Sequence, residues 1–317
     1  MRRTAIKPAR IHELAKEFLD SKHNYLDRSK GGRPRTFDDI LILTLICIQN
    51  LHQFSFRETI EFSEDYFKEL PELSTYHYRV KILPVELIQE VIEYIAEKIK
   101  ESDKNRHVRF LIMDGTGFSY HDVYPMKYYR GMEIRKIQAH VKAGALIGIL
   151  NKRRFVLSAR AGPPYTGDVR LIEPLVEKAN YPKSYFLGDK GFDCIRLIEL
   201  ILSKKCKPVI DIKSGRLNQI KDPLRILSKH NVEALGIYKK RPLIEGLFGN
   251  LKQKLSSHVR IFNVDIAQKF ALIRFALLNM AVLASLEKAD QLWLWFSNSL
   301  LKPLTAVYLF KIPPFAR

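Results

Sequence analysis

Three acids stand out by their surroundings. Asp114 closes the apolar run "FLIM", Asp189 follows "YFLG", and Glu245 is a lone carboxylate in the cationic stretch "GIYKKRPLIEGLFGNLKQKL", residues 236–255. An aspartate at the end of a buried strand has an ordinary reading as a cap for the next turn or helix. Two of them, together with one glutamate isolated among Lys239, Lys240, Arg241, Lys252 and Lys254, point instead to carboxylates converging from distant parts of the chain. Like charges held close repel and raise one another's pKa, so a cluster of acids implies a cation between them. Hard oxygen donors with no matching His or Cys set favour Mg2+ or Mn2+. Two such ions activate water or a 3′-hydroxyl and stabilise the leaving oxygen of an in-line phosphoryl transfer.

The cations around Glu245 suit the same chemistry. Lys and Arg total 53 against 34 Asp and Glu, a net charge of +19 with a pI of about 9.7, and such an excess calls for a polyanionic partner, nucleic acid first. Residues 1–35 hold ten Lys/Arg against four acids, a net of +6, and the piece "KGGRPR", with Arg33 and Arg35, reads as a basic arm able to follow a phosphate backbone or minor groove. Pro242 is best tolerated in a helix's first turn, so a helix is expected to begin near Arg241 and to run through "PLIEGLFGNLKQKL". Glu245 and Lys252, seven residues apart, then share a face to within about 20°. Arg241, four residues before Glu245, falls on that face if the helix includes it.

The elements that must position these residues divide the chain in two. Residues 1–105 read as helices joined by tight turns: "RIHELAKEFL", then "TFDDILILTLICIQN" with Thr36 as its cap, then "SFRETIEF" with Ser55 and Glu58 in capping-box spacing. "LSTYHYRV" and a long helix opened by Pro84 follow. The pattern is compatible with a helix-turn-helix reader of DNA and equally with a plain bundle, and the charge favours the reader. After residue 105 come three strands, "VRFLIMDGTGF", "IQAHVKAGALIGILN" and "RRFVLSARAG", and then helix and strand in alternation, with Asp114 and Asp189 at strand ends. The expected fold class is therefore α+β or α/β: an N-terminal helical region ahead of a mixed-sheet domain. Asp168 reads as a helix N-cap and Asp193 as capping or solvated. Cys47, Cys194 and Cys206 are scattered and fit neither a zinc ribbon nor a disulfide framework. Residues 270–287 are strongly apolar, but Arg274, Asn279 and Ser285 interrupt them, so a buried helix is expected in place of a membrane span.

The spacing Tyr238, Arg241, Glu245, Lys252 resembles the third-carboxylate motif of the DDE transposases of bacterial and archaeal insertion sequences, whose catalytic core is ribonuclease H-like. "LIMDGTGFS" is similar to that family's first motif and "YFLGDKGFD" to its second, and the likeness covers about residues 30–287. It implies that Asp114, Asp189 and Glu245 are the catalytic carboxylates and ligands of two Mg2+ or Mn2+ ions. Tyr238, Arg241 and Lys252 would contact the transposon end, with Lys239, Lys240, Arg33 and Arg35 as further DNA contacts. The implied organisation is a DNA-binding region over residues 1–105, a catalytic domain over 106–290 and a C-terminal tail, 291–317, whose aromatic residues suit packing or a subunit contact. The implied partners are double-stranded transposon-end and target DNA and a second copy of the chain, in the cytoplasm at the nucleoid, with no membrane. A nuclease or recombinase on the same core, or a non-enzymatic DNA-binding descendant, is the alternative. A dehalogenase-type phosphatase is excluded because Ile112 stands where its nucleophilic aspartate would be.

Overall fold

A computed structural model describes residues 6–22, 36–103, 106–126, 135–151, 153–213 and 221–300. Arg33 and Arg35 lie outside the described residues, as do 301–317 of the expected C-terminal tail. The first part is helical as expected: α1 (Pro8–Asp20), α2 (Asp39–His52), α3 (Phe56–Ser63), α4 (Leu73–Ile82) and α5 (Val85–Glu101). Ser55 and Glu58 form the capping box of α3, with Glu58 N–H donating to Ser55 Oγ at 3.2 Å and Ser55 N–H to Glu58 Oε2 at 2.6 Å. The cap of α2 is Asp38, which accepts from Leu41 N–H at 2.8 Å, and not Thr36.

The sheet runs in the order β3-β2-β1-β4-β5. β1 (Phe110–Met126), β2 (Arg135–Leu150) and β3 (Arg153–Gly162) form an antiparallel meander, and β4 (Tyr185–Gly188) and β5 (Lys207–Ile210) add to β1 in parallel. The parallel crossovers contain α6 (Asp168–Lys178) and α7 (Ile195–Ser203). After β5 come α8 (Pro223–Ala234), a 3-10 turn over Tyr238–Lys240, α9 (Leu243–Leu255), the two-residue strand β6 (His258–Val259) and α10 (Val264–Leu300). β6 pairs with β1 at Ser119 and Tyr120.

β1 is longer than the sequence led us to expect, which corrects the position of Asp114. It lies inside the strand, not at its end. Its partner β4 does stop there: parallel pairing covers Phe110–Ile112 against Tyr185–Leu187 and goes no further. Asp114 thus stands beside the carboxyl end of β4, in the gap before β6 resumes pairing, where open sheets place their ligand sites.

α10 is the central packing element. Its buried residues, among them Ile266, Leu272, Ile273, Phe275 and Ala276, meet α2 and α5 on one side and the sheet on the other. Asn279 fastens both, donating to Ile92 C=O at 3.3 Å and Val156 C=O at 2.7 Å and accepting from Val156 N–H at 2.8 Å. The segment Val264–Lys288 is long and apolar enough to cross a membrane, but 67% of its most apolar window is buried against protein, which fits a core helix. α10 continues through residue 290, so the expected domain boundary there falls within a helix.

Candidate active site

Alternation along the parallel strands builds the site in rows. Phe110, Tyr185 and Lys207 lie side by side in register across β1, β4 and β5, and Ile112, Leu187 and Val209 form the next row on the same face. One step further, past the ends of β4 and β5, the same face presents Asp114, Asp189 and Asp211. The middle row is fully buried, at 0% exposure for each residue. Aromatic and cationic residues therefore emerge on one side of it and acids on the other.

Each site aspartate commits one oxygen to its own backbone. Asp114 Oδ1 accepts from Gly115 N–H at 2.8 Å and Asp189 Oδ1 from Gly191 N–H at 2.8 Å, the latter as cap of the 3-10 turn Lys190–Phe192. The free Oδ2 atoms point to a common centre occupied by the guanidinium of Arg241, which donates to Asp114 Oδ2 at 3.4 Å and Asp189 Oδ2 at 3.2 Å. The same guanidinium binds Glu245 Oε1. Arg241 precedes α9 and still reaches Glu245, because the 3-10 turn carries helical backbone through Arg241 and Pro242 into the helix. The three carboxylates, drawn from positions up to 131 residues apart, thus converge as the sequence led us to expect, but on Arg241, where metal was expected.

Burial dominates the electrostatics at Asp114. It pushes the carboxyl up to about 6, with Asp189 and Asp168 adding in the same direction, while the Gly115 amide and Arg241 pull it down. Arg241 is itself largely buried, and its Nε–H is a buried donor with no partner. Among the described residues no three His, Cys, Asp or Glu side chains stand at metal-holding spacing. Chemically the donor set nonetheless fits a hard divalent cation: two aspartate Oδ2 atoms and one glutamate oxygen converge on a single positive group. In this structure the Arg241 guanidinium occupies the point on which those oxygens converge.

α9 runs alongside β1, so Glu245 lies by Asp114 and Lys252 lies by Phe118, its Nζ 5.7 Å from the ring centroid. Burial lowers the Lys252 pKa. Tyr238 is half-buried near Asp211 and Asp189, and its hydroxyl pKa is raised by burial and then by those carboxylates. Lys239 is exposed, and Lys240 turns the other way, its Nζ 5.1 Å from the Phe110 centroid.

Some residues near the acids were missed in the sequence. Asp211 ends "PVID", the same apolar-run-then-Asp pattern that marked the other two, and that signal was available. On the opposite face of β1 a cleft of about 310 Å³ is lined by Asp114, Gly115, Thr116, Gly117, His140, Lys142, Tyr165 and Asp168. A Cβ at Gly115 would meet Asp168 Oδ1 at 2.3 Å, so any larger residue there would displace the Asp168 carboxylate. Asp168 does not cap α6 as expected: Gly167 holds that position, and Asp168 pairs with Lys142 at 2.8 Å. Asp193 is not solvated either; only 3% of its side chain is exposed, and Arg225 grips both its oxygens at 2.9 and 2.6 Å.

Comparison with known proteins gives these contacts a family. An uncharacterized protein of Aquifex aeolicus (strain VF5) is 28% identical over 277 residues, 86% of this chain and 85% of that protein. The piggyBac transposase, solved by cryo-EM as a synaptic complex with hairpin DNA, aligns over 92% of this chain and 78% of its own, with 11% identity and a TM-score of 0.45, too low to bear on fold or function. Residues 107–280, more than half the chain and including every one of the converging carboxylates, match the family described as Transposase DDE domain. The chain therefore belongs to the DDE transposases, enzymes that act on DNA.

Proposed function

We propose that Asp114, Asp189 and Glu245 hold divalent metal, two ions of Mg2+ or Mn2+, and that the chain binds insertion-sequence ends, cleaves them and transfers the strand to target DNA. The observation that carries this reading is the convergence of three carboxylates on the Arg241 guanidinium. The metal, when bound, supplies Lewis acidity and an activated oxygen nucleophile at the scissile phosphate. The chain's residues do the rest. The backbone amides of Gly115 and Gly191 fix one oxygen of each aspartate, so the other is aimed before any ligand arrives. Arg241 exchanges its carboxylate contacts for a DNA phosphate, while Tyr238, Lys239, Lys240 and Lys252 hold the backbone on either side. Residues 1–105, with Arg33 and Arg35 in their basic arm, contribute end recognition. A second copy of the chain brings the other end, and the tail from residue 291 is available for that contact. The enzyme works at the nucleoid in the cytoplasm.

The test separates chemistry from binding. Asp114→Ala and Glu245→Gln are expected to abolish Mg2+-dependent cleavage of end-containing DNA while leaving DNA affinity equal or tighter, because each removes a negative charge near phosphate. Cleavage retained by either variant overturns the assignment. Terminal inverted repeats flanking the gene distinguish a mobile element's transposase from a resident nuclease on the same core.

A further inference from the structure

The row on the other side of the buried aliphatic layer has no assigned role. Phe110 and Tyr185 stack there with centroids 5.8 Å apart and planes inclined by 24°. Three cations gather on the pair: the Arg109 guanidinium lies 5.5 Å from the Phe110 centroid and 5.7 Å from that of Tyr185, Lys207 Nζ lies 5.8 Å from Tyr185, and Lys240 Nζ lies 5.1 Å from Phe110. Arg109 and Lys207 are exposed. None of the three is ion-paired among the described residues. We propose that Arg109, Lys207 and Lys240, held over the Phe110–Tyr185 stack, form a phosphate-binding cluster that grips the DNA backbone at a distance from the cleavage centre.

Register and chemistry both support it. Phe110 and Asp114 are four positions apart on β1, about 13 Å, close to the rise of four base pairs. The cluster and the acids are joined by consecutive residues, since Lys240 turns to the aromatic row and Arg241 to the carboxylates. The aromatic rings hold the cationic side chains in one place at little entropic cost and leave their charge uncancelled, unlike a salt bridge. Phosphate is the anion such a site takes, and a duplex supplies it at regular spacing.

This inference rests on the reading of the chain as a DNA-binding transposase, and the experiment keeps the two apart. The salt dependence of duplex binding is measured for the full chain, for Arg109→Ala/Lys207→Ala, and for Lys178→Ala/Arg196→Ala, which removes equal charge from α6 and α7. Each lost phosphate contact lowers the slope of log K against log salt by about 0.9. The Arg109/Lys207 variant is expected to lose about 1.8 and the control less than half of that. If the unaltered chain binds no duplex, the functional reading itself fails. If it binds and the two double variants fall equally, or neither changes, the cluster is not a phosphate site. Phe110→Leu completes the test, because loosening the stack while keeping all three cations should weaken binding without lowering the slope by more than about 0.9, and an unchanged affinity counts against the role of the aromatic pair.

Discussion

Arg241 is the residue on which the site turns. It bridges three carboxylates that would otherwise repel, though its single charge offsets only one of them, and it leaves its own buried Nε–H without an acceptor, a cost of about 1–3 kcal/mol that a better partner would recover. On the proposed function, guanidinium and metal would compete for the same oxygens. Arg241→Gln is therefore expected to melt lower than the unaltered chain in EDTA and to gain more Tm on addition of Mn2+ without DNA. Equal gains in the two proteins would mean that the guanidinium is no competitor. Asp114 makes a second prediction, in pH. Its folded-state pKa of about 6 lies above the unfolded value of 3.8, so between those values the folded chain binds more protons than the unfolded one. The stability contributed by the protonated form is complete below about pH 4 and is lost as pH rises through 6. The loss is on the order of 1–3 kcal/mol. Asp114→Asn keeps an acceptor for the Gly115 amide and cannot ionise, so in metal-free buffer it should be the more stable protein at pH 7 and should lack that slope. Urea titrations at pH 4.5 and pH 7 decide it.

At the scale of elements, α9 turns a sequence spacing into a mechanism. Seven residues place Lys252 two turns beyond Glu245, and the helix lies along β1, with Glu245 on Arg241 and Lys252 over the Phe118 ring. Lys254 is exposed and about 200° around from Lys252. Lys252→Ala is expected to lower the salt slope of end binding by about 0.9 and to slow cleavage up to about a hundredfold through a misplaced phosphate, with Lys254→Ala changing neither as much. Equal effects would leave only general charge. This helix was legible because Pro242 marks its start and its apolar residues Ile244, Leu247, Phe248, Leu251 and Leu255 recur at helical spacing. α8 was not. Its buried positions are polar, Ser228 and Asn231, which reach the backbone of Ile210 and Pro208 on β5, so no apolar stripe announced it. The true length of β1 was hidden for a related reason: beyond Asp114 it is held by pairing with β2 across "GTGFS", and such pairing is a property of two distant segments, not of one. The three site acids were legible because charge in an apolar or cationic context needs a local reason. Their arrangement around Arg241 needed coordinates.

At the scale of the molecule, the expected division at residue 105 meets a single continuous core. Apolar residues from Ile6 to Leu286 form one buried cluster, and α10 lies between the first helices and the sheet. The first helices also spend polar contacts on it: Lys269 of α10 donates to Val80 C=O at 3.0 Å, and Arg10 of α1 pairs with Glu287. The surface these helices offer is not uniformly basic. Residues 57–72 carry six acids against Arg57 and Lys68, a net of −4, so α3 and the turn into α4 are poorly suited to phosphate, and the basic excess of this region lies in its first 35 residues. The core makes the last prediction. Residues 1–105 expressed alone would lose the packing of α10 and the sheet on α2 and α5, whose buried residues include Leu45, Ile88, Val91, Ile92 and Ile95, each no more than 4% exposed in the whole chain. Uncovering them removes roughly 25 cal/mol of stabilisation per Å², and for a fragment of this size a few hundred Å² is comparable with its entire stability. The fragment should therefore show helical circular dichroism without a cooperative urea transition, and any DNA binding it retains should be non-specific and steeply salt-dependent. A sharp two-state transition, or a preference for the element's own ends, would show that the first helices fold and read DNA without α10.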